Sequence, residues 1–425
     1  MKVLVIGQGG REHAIVHALS QSSSVTEIHA VPGSAGMSRQ AVCHDLNWKD
    51  TESLIQFCLR TEIDFVMIGP EDPLVDGLSD RLRERGILVV GPSAESAQLE
   101  GSKIFAKEFM ASAKVPTSKF EIVSSVDEVR KVASHFTPPY VLKADGLAAG
   151  KGVFICKTLA ELETAATDLF EKKILGSAGN RALLEQFMPG WELSYLILTN
   201  GKEWQTLPLA QDHKRLQDGD QGPNTGGMGT VAPLKISEKL RNEIENRIVA
   251  PSVAELTAKN YLYRGILFIG IMVTEQGPQV LEYNCRFGDP ETQVVLPLLD
   301  EDFGEIFKNL SQGQLRPLKS KNIFSSCVVL AAPGYPMNPE KNLPIEGDLE
   351  SSTEFSYFLH AGTGKDQKGH WMTKGGRVLN AVGLGSSFQE AIRNAYSQAT
   401  KANWMGLQKR SDIGGAQLQV KSSPS

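Results

Sequence analysis

Four short apolar runs in the first hundred residues, at 3–6, 28–31, 65–68 and 88–90, alternate with stretches of helical spacing at 12–20, 52–60 and 78–85. Strands covered by helices on both faces read as unbroken apolar runs, because neither face meets water. The alternation therefore predicts an α/β unit built on an open parallel sheet, Rossmann-like in outline. Each run ends in a turn-forming stretch: Gly7-Gln8-Gly9-Gly10, Pro32-Gly33-Ser34-Ala35-Gly36, Gly69-Pro70-Glu71 and Gly91-Pro92. Ligands of such sheets sit at the carboxyl ends of the strands, where these turns fall.

The first turn begins like a dinucleotide fingerprint, but Glu12 stands where the third glycine belongs. Two readings stay open there: a small phosphate-bearing ligand at the helix amino terminus, or a plain strand-to-helix turn.

A second region starts near residue 101. A helix is expected over 103–111, strands over 140–143 and 153–156, a helix over 159–170, and strands over 182–187 and 193–199. This makes an α+β unit of about seventy residues, small enough to move as a lid. Between its first two strands lies Lys143-Ala144-Asp145-Gly146-Leu147-Ala148-Ala149-Gly150-Lys151-Gly152. Small residues let backbone approach a polyphosphate and the lysines supply charge. No G-K-[S/T] follows at P-loop spacing, and the loop joins two strands instead of opening a helix. A hairpin folding over ATP fits better than a P-loop; an ordinary exposed hairpin is the alternative.

Past a polar loop, a long helix is expected over 238–259, then a hairpin of 265–274 and 279–284 turning at Glu275-Gln276-Gly277. In the second strand Glu282 and Asn284 are two apart and share one face, away from Tyr283. Two oxygen ligands on one face suit magnesium, which takes one or two protein ligands beside phosphate and water. A polar outer face of an edge strand is the competing reading. Cys285-Arg286-Phe287-Gly288-Asp289-Pro290-Glu291-Thr292-Gln293 follows at once and packs an arginine and acids into a tight turn. An arginine beside a metal site can hold a carboxylate or phosphate through two hydrogen bonds. The loop Gln211-Asp212-His213-Lys214-Arg215 with residues 222–229 is too small and polar for a core and is expected to shape the site. His213 is read as a positioning group or bystander rather than a general base. A third, α+β region starts near 323, with strands over 327–331, 356–360 and 378–382 and a helix over 388–399; only 421–425 reads as a loose tail. The proposed division is 1–101, 102–322 with a lid at about 123–188, and 323–425.

Composition narrows the partners. A net charge of −5 argues against broad binding to nucleic acid. Cys43, Cys58, Cys156, Cys285 and Cys327 form no C-x-x-C pair, so inert reduced thiols are expected. The start of the chain runs straight into a strand, and no apolar segment approaches the ~20 residues of a membrane span. A cytoplasmic protein is expected, with no membrane partner.

These motifs together resemble the glycinamide ribonucleotide synthetase family of the ATP-grasp superfamily. The resemblance runs through residues 9–14, 98–103, 143–153, 211–215, 222–229, 286–293, 360–363 and 375–379, and the run Arg-Phe-Gly-Asp-Pro-Glu-x-Gln is its most specific part. It implies an ATP-grasp core and an ATP-dependent ligation of glycine to 5-phosphoribosylamine, with Mg2+ or Mn2+ on Glu282 and Asn284. By the same matching, Lys103, Lys143, Asp145, Gly146, Gly150, Lys151 and Gly152 surround the ATP phosphates. Glu185 and Phe187 belong to the adenine hinge, and Glu192 lies near the ribose. Gly9, Gly10, Arg11, Gly33, Gly36, Pro70 and Glu71 are expected on the substrate side, as are Asn224, Thr225, Gly226, Gly227 and Asp289. Arg286, Asp212 and Lys214 are the candidate catalytic residues. A monomer without a fused downstream enzyme is expected. Gln8, Ser34 and Lys374 stand where the family often has asparagine. Many members of the superfamily carry a metal carboxylate on the strand before Glu-x-Asn, and 266–274 has none. The rival readings are a carboxylase of the same superfamily that uses bicarbonate and a non-catalytic nucleotide-binding regulator; the run at 286–293 speaks against the first.

Overall fold

The computed structural model describes residues 1–148 and 152–415. Gly150, Lys151 and the tail at 421–425 lie outside the described residues.

The first strand, Lys2–Gly7, pairs in parallel with Glu27–Pro32 on one side and Phe65–Ile68 on the other. Val42–Cys43 and Val89–Val90 complete a five-stranded parallel sheet. Val3, Leu4, Val5 and Ile6 are all fully buried, as a strand covered on both faces requires. The two-residue edge strand Val42–Cys43 has no apolar run to announce it. Because the chain leaves Lys2–Gly7 toward Glu27–Pro32 and later returns to its other side, the topological switch lies between Lys2–Gly7 and Phe65–Ile68.

The small α+β unit has an antiparallel sheet ordered Phe120–Val123, Ala182–Gln186, Tyr140–Ala144, Val153–Cys156. Helices Val126–Ala133 and Leu159–Phe170 pack on it through a core of its own, including Val129, Leu142, Leu162 and Leu184. Ser125 and Thr158 start these helices by accepting the N–H groups of Glu128 and Glu161.

A second antiparallel sheet runs Trp204–Thr206, Trp191–Thr199, Gly265–Thr274, Gly277–Asn284. Its last hairpin carries a bulge: Gly270 faces Glu282, but Ile271 faces Val280, leaving Leu281 unpaired. The expected long helix is present over 238–258 with a π-helical turn at Glu245–Val249. Pro251 follows that turn, and the wider winding accommodates a ring that would clash with a normal α-helical carbonyl.

The expected polar loop after residue 210 is partly β-structure instead. Gln211–Asp212 and Gly229–Ala232 join Phe324–Ala331, Arg377–Gly385 and Ser356–His360 in one antiparallel sheet. Arg215–Gln217 and Gln221–Asn224 form a hairpin between them. Val231 and Ala232, just past the expected loop, are fully buried and supply core. Helix Phe388–Ala399 packs on this sheet, and 361–376 holds the hairpin Thr363–Lys365 with Trp371–Thr373. No helix among the described residues is long and apolar enough to cross a membrane.

Candidate active site

A pocket of about 500 Å³ opens between the small α+β unit and the Gly277–Asn284 sheet. That volume lies within the ~300–1,000 Å³ of typical ligand sites. Its lining includes apolar Val141, Ile155, Phe187, Met188, Met272 and Leu281, which can take a flat ring. It also carries charge from Lys103, Lys143, Lys214, Glu282, Arg286 and Glu291.

Within this lining, one oxygen of Glu185 receives three donors. Lys143 Nζ and Lys107 Nζ both lie 3.1 Å from Oε2, and Ser118 Oγ donates to it at 2.6 Å. Its Oε1 is buried without a partner. Burial opposes the charge on Glu185, but Lys143 and Lys107 outweigh it and hold the carboxyl below its usual range. Lys107 was not singled out from the sequence. A signal exists: Lys107 interrupts the apolar face of helix Lys103–Ser112 between Ile104 and Met110. Lys143 also donates to the Leu281 carbonyl at 3.4 Å, a contact the bulge makes available.

Glu282 and Asn284 line the pocket together, while Tyr283 turns inward and hydrogen-bonds Ser252. Burial disfavours the Glu282 charge, yet Lys103, Lys214, Lys143 and Arg286 hold its carboxyl below the usual range. An ionised carboxylate and an amide oxygen, facing a space that admits phosphates, fit a divalent cation. The neighbouring strand offers nothing further: Gly270 and Phe268 are the residues opposite Glu282 and Asn284. Among the described residues no cluster of three His, Cys, Asp or Glu side chains could hold a metal.

Arg286 is more fully engaged than a free carboxylate clamp would be. Its Nε lies 3.1 Å from Glu71 Oε2 and its second terminal nitrogen 2.7 Å from Glu100 Oε1. It also donates to Asn284 Oδ1 at 3.2 Å and to the Phe287 carbonyl at 3.1 Å. It therefore fixes the Asn284 amide while crosslinking two segments of the first region. Arg286 pulls the Glu71 carboxyl down to about 2. Burial pushes Glu100 the other way, up to about 7, against the attraction of Arg286.

The folded chain thus keeps a proton on Glu100 up to about pH 7, whereas an unfolded glutamate releases it near 4.5. That contribution is complete below pH 4.5 and is lost as pH rises to about 7. Glu100→Gln should flatten this slope, worth up to roughly 3 kcal/mol at ~1.4 kcal/mol per pKa unit. Denaturant titrations of both proteins at pH 4.5 and 7.5 measure it; identical pH dependence would contradict the assignment.

The loop beyond residue 210 brings Asp212 and Lys214 together, Oδ2 to Nζ at 3.2 Å. Lys214 faces the pocket and, despite burial, is held above its usual pKa by Asp212, Glu291, Glu192 and Glu282. Gly227 has φ +115°, and a side chain there would run into Asp212 and the Pro290 ring. Asn224, Thr225 and Gly226 line the pocket, as do Glu192, Asp289, Gly146 and Gly152. Asp289 pairs with Arg377, which also donates to the Gly226 carbonyl at 2.7 Å.

The first glycine turn is closed by the protein's own acids. Glu12 Oε2 accepts the Gly9 N–H at 2.7 Å, and Asp289 Oδ2 accepts that of Arg11 at 3.3 Å. A side chain at Gly7 or Gly69 would strike Glu12, so that carboxylate fills the crevice at the topological switch. This explains why a glutamate replaces the third glycine. Arg11 holds Glu12 at 2.6 Å and still reaches the pocket beside Glu71.

Other expected residues fall outside this pocket. Asp145 accepts from Ser102 Oγ at 2.7 Å and the Ile104 N–H at 3.1 Å, capping the helix that carries Lys103. Gly9, Gly10, Gly33, Pro70 and Gly227 do not line it, and Gly36 lies under the His360 ring at a separate cavity of about 300 Å³. His213 bonds the Gly229 carbonyl through Nδ1 at 3.1 Å and accepts the Gly414 N–H at Nε2, so it ties strand Gly229–Ala232 to the turn at Gly414 and does not line the pocket. Cys58, Cys156, Cys285 and Cys327 are buried free thiols and Cys43 is half-buried.

Comparison with known proteins places this geometry. The chain matches the family models described as the phosphoribosylglycinamide synthetase N domain over 1–100, ATP-grasp (A) domain over 101–292 and C domain over 325–416. It is 42% identical to a phosphoribosylamine–glycine ligase of Caldanaerobacter subterraneus subsp. tengcongensis, covering 97% of this chain and 99% of that one. A ligase of the same name from Halalkalibacterium halodurans is 40% identical, with 99% and 98% covered. The crystal structure of the Thermotoga maritima phosphoribosylamine–glycine ligase superposes with TM-score 0.85 at 36% identity, covering 97% of this chain and 100% of that one. The biotin carboxylase domain of Hydrogenobacter thermophilus 2-oxoglutarate carboxylase shares the fold alone, with TM-score 0.74 at 19% identity and 96% and 91% covered. Three family models in sequence and relatives matched nearly end to end leave one reading: the chain is an enzyme of the phosphoribosylamine–glycine ligase family.

Proposed function

We propose that the chain joins glycine to 5-phosphoribosylamine while converting ATP to ADP and phosphate, and that the pocket between the two antiparallel sheets is where it does so. The observation that carries this is the convergence of Glu282 and Asn284 with Lys103, Lys143 and Lys214 in a pocket that also has apolar lining. In the first step the glycine carboxylate attacks the γ-phosphorus, forming glycyl phosphate and releasing ADP. In the second the amine of phosphoribosylamine attacks the acyl carbon, releasing phosphate and a proton. Mg2+ or Mn2+ held by Glu282 and Asn284 would neutralise phosphate charge. Lys103, Lys143 and Lys214 stabilise the negative charge that develops on the transferred group. Arg286 keeps Asn284 aimed, and Arg11 with Glu71 faces the second substrate.

An acyl phosphate hydrolyses in water, so the site must close. The unit at about 123–188 has its own core and supplies Val141, Lys143, Ile155 and Glu185, which makes it the moving lid in this reading. The protein acts as a monomer in the cytoplasm. ADP release measured with glycine, bicarbonate or neither, with phosphoribosylamine generated in situ, tests the whole. Release driven by bicarbonate and indifferent to glycine would sink it.

Lys143→Ala should raise KM for ATP at least about tenfold, the scale of one hydrogen bond to a charged group. The fold should survive, because Lys107 still pairs Glu185. Unchanged ATP saturation would remove Lys143 from the phosphate site.

A further inference from the structure

Resting on the reading above that this pocket is where ligation takes place, we propose that Arg410 is a positioning residue: it anchors the hairpin of Arg215–Gln217 with Gln221–Asn224 and so sets one wall of the site. Arg410 itself does not line the pocket. The hairpin enters the pocket wall at Lys214 and leaves it through Asn224, Thr225 and Gly226, all four of which line the pocket. Its base is tied across, because the Thr225 N–H and hydroxyl both donate to the Lys214 carbonyl at 2.8 Å. The ladder beyond that base is short, with Arg215 opposite Asn224 and Gln217 opposite Gln221. Two strands on their own are marginal in water, and the tip at 218–220 is exposed. Gly219 and Asp220 also have φ of +64° and +53°, a left-handed tip that persists only where its surroundings hold it.

That hold comes from a segment some 190 residues further along the chain. Arg410 is 1% exposed and forks onto Asp412, Nε to Oδ1 and one terminal nitrogen to Oδ2, both at 2.7 Å. Its other terminal nitrogen lies 2.7 Å from Asp220 Oδ1 and donates to the Arg215 carbonyl at 3.2 Å. One planar guanidinium thus holds the tip and the first strand of the hairpin together. Asp412 Oδ2 accepts the Gly219 N–H at 2.8 Å, and Asp218 accepts the Ser411 N–H at 2.8 Å and the Ser411 hydroxyl. Gly414 reaches the base, its N–H donating at 3.2 Å to His213, the neighbour of Lys214. The grip is rooted in turn: the Tyr396 hydroxyl, on helix Phe388–Ala399, donates to the Arg410 carbonyl and accepts the Ile413 N–H, both at 3.0 Å. Ile413 is buried in the core that also holds Val231. Arg410 pulls the Asp412 carboxyl down to about 2, so the fork stays charged through neutral pH. Asp212 fixes Lys214 Nζ and Arg377 fixes the Gly226 carbonyl, while the 410–414 segment fixes the backbone between them. Misplacing a site residue by ~1 Å can cost about 100-fold in rate.

Arg410→Leu would leave Asp412 and Asp220 without their cation and can cost the fold, so the test uses Asp218→Ala combined with Asp220→Ala. These two acids are exposed, lie outside the pocket lining and leave the Arg410–Asp412 fork intact. Steady-state ADP release by the full chain, with glycine and with phosphoribosylamine generated in situ, should show kcat lowered at least about tenfold. KM for ATP should stay within about threefold, since Lys143 and Glu185 stand on the small α+β unit and are untouched. Amide hydrogen exchange at Thr225 and Gly227, whose N–H groups bond within the hairpin base, should speed up about tenfold or more while the melting temperature holds. Wild-type kcat in this variant would overturn the proposal, and so would a lowered kcat with exchange unchanged. A parallel fall in kcat, ATP affinity and melting temperature would overturn it too, as the mark of a general structural role. Absence of glycine-driven ADP release in the wild-type chain would instead refute the reading on which the proposal rests.

Discussion

Glu282→Ala is expected to lower turnover at least ~1,000-fold, since it removes one of two metal donors and the charge opposite the phosphate lysines. The fold should persist. Lys143 keeps Glu185, Lys214 keeps Asp212 and Arg286 keeps Glu71 and Glu100, so these cations are not left buried without a partner. ADP release and a thermal melt on the same preparation separate the two effects. Turnover near that of the wild type would remove Glu282 from the metal site, and a collapsed melting transition would make the loss structural.

Arg286→Leu should instead strike stability. It strips the cation from Glu71 and Glu100 and leaves the Asn284 amide without its donor. Breaking a buried pair from one side costs about 3–5 kcal/mol, because the remaining charge stays desolvated. Without the arginine both carboxyls should titrate higher, so the deficit should be largest near pH 8 and shrink toward pH 5 as they take up protons. Denaturant midpoints of wild type and variant across that range provide the check. Adding Glu100→Gln should restore part of the loss at pH 8, and a deficit independent of pH would refute this account.

How much of this was legible in the sequence depends on the range over which each signal acts. Burial on both faces of Lys2–Gly7 is written in consecutive residues, so the parallel sheet could be read directly. The two-residue period of a strand likewise placed Glu282 and Asn284 on one face, and the pocket receives both. Arg286 was visible as a cation in the right turn, but its partners lie 215 residues away at Glu71 and 186 away at Glu100. No local pattern reports such a contact. The glycine turn stayed open between two readings for a different reason: Glu12 and Asp289 accept N–H groups at a helix terminus that looks free when only its own segment is considered. The strand Gly229–Ala232 hid behind a glycine-rich approach, although its own apolar pair, Val231 and Ala232, was a signal. Lys107 and Glu291 each carried a readable oddity, a cation inside an apolar helical face and a second acid in a crowded turn.

Strand Gly229–Ala232 also bears on how such a chain can be inherited. It lies within the stretch matched by the ATP-grasp model, yet it pairs with Ser325–Val328, within the stretch matched by the C model. A gene divided between 292 and 325 would separate strands of one sheet and expose Val231 with the interior of Phe324–Ala331 on opposite fragments. Exchanging only the last quarter of the chain between relatives would force a foreign edge onto the segment that carries Asp212 and Lys214. Recombination thus meets a seam that is sewn shut, and the two modules are constrained to diverge together.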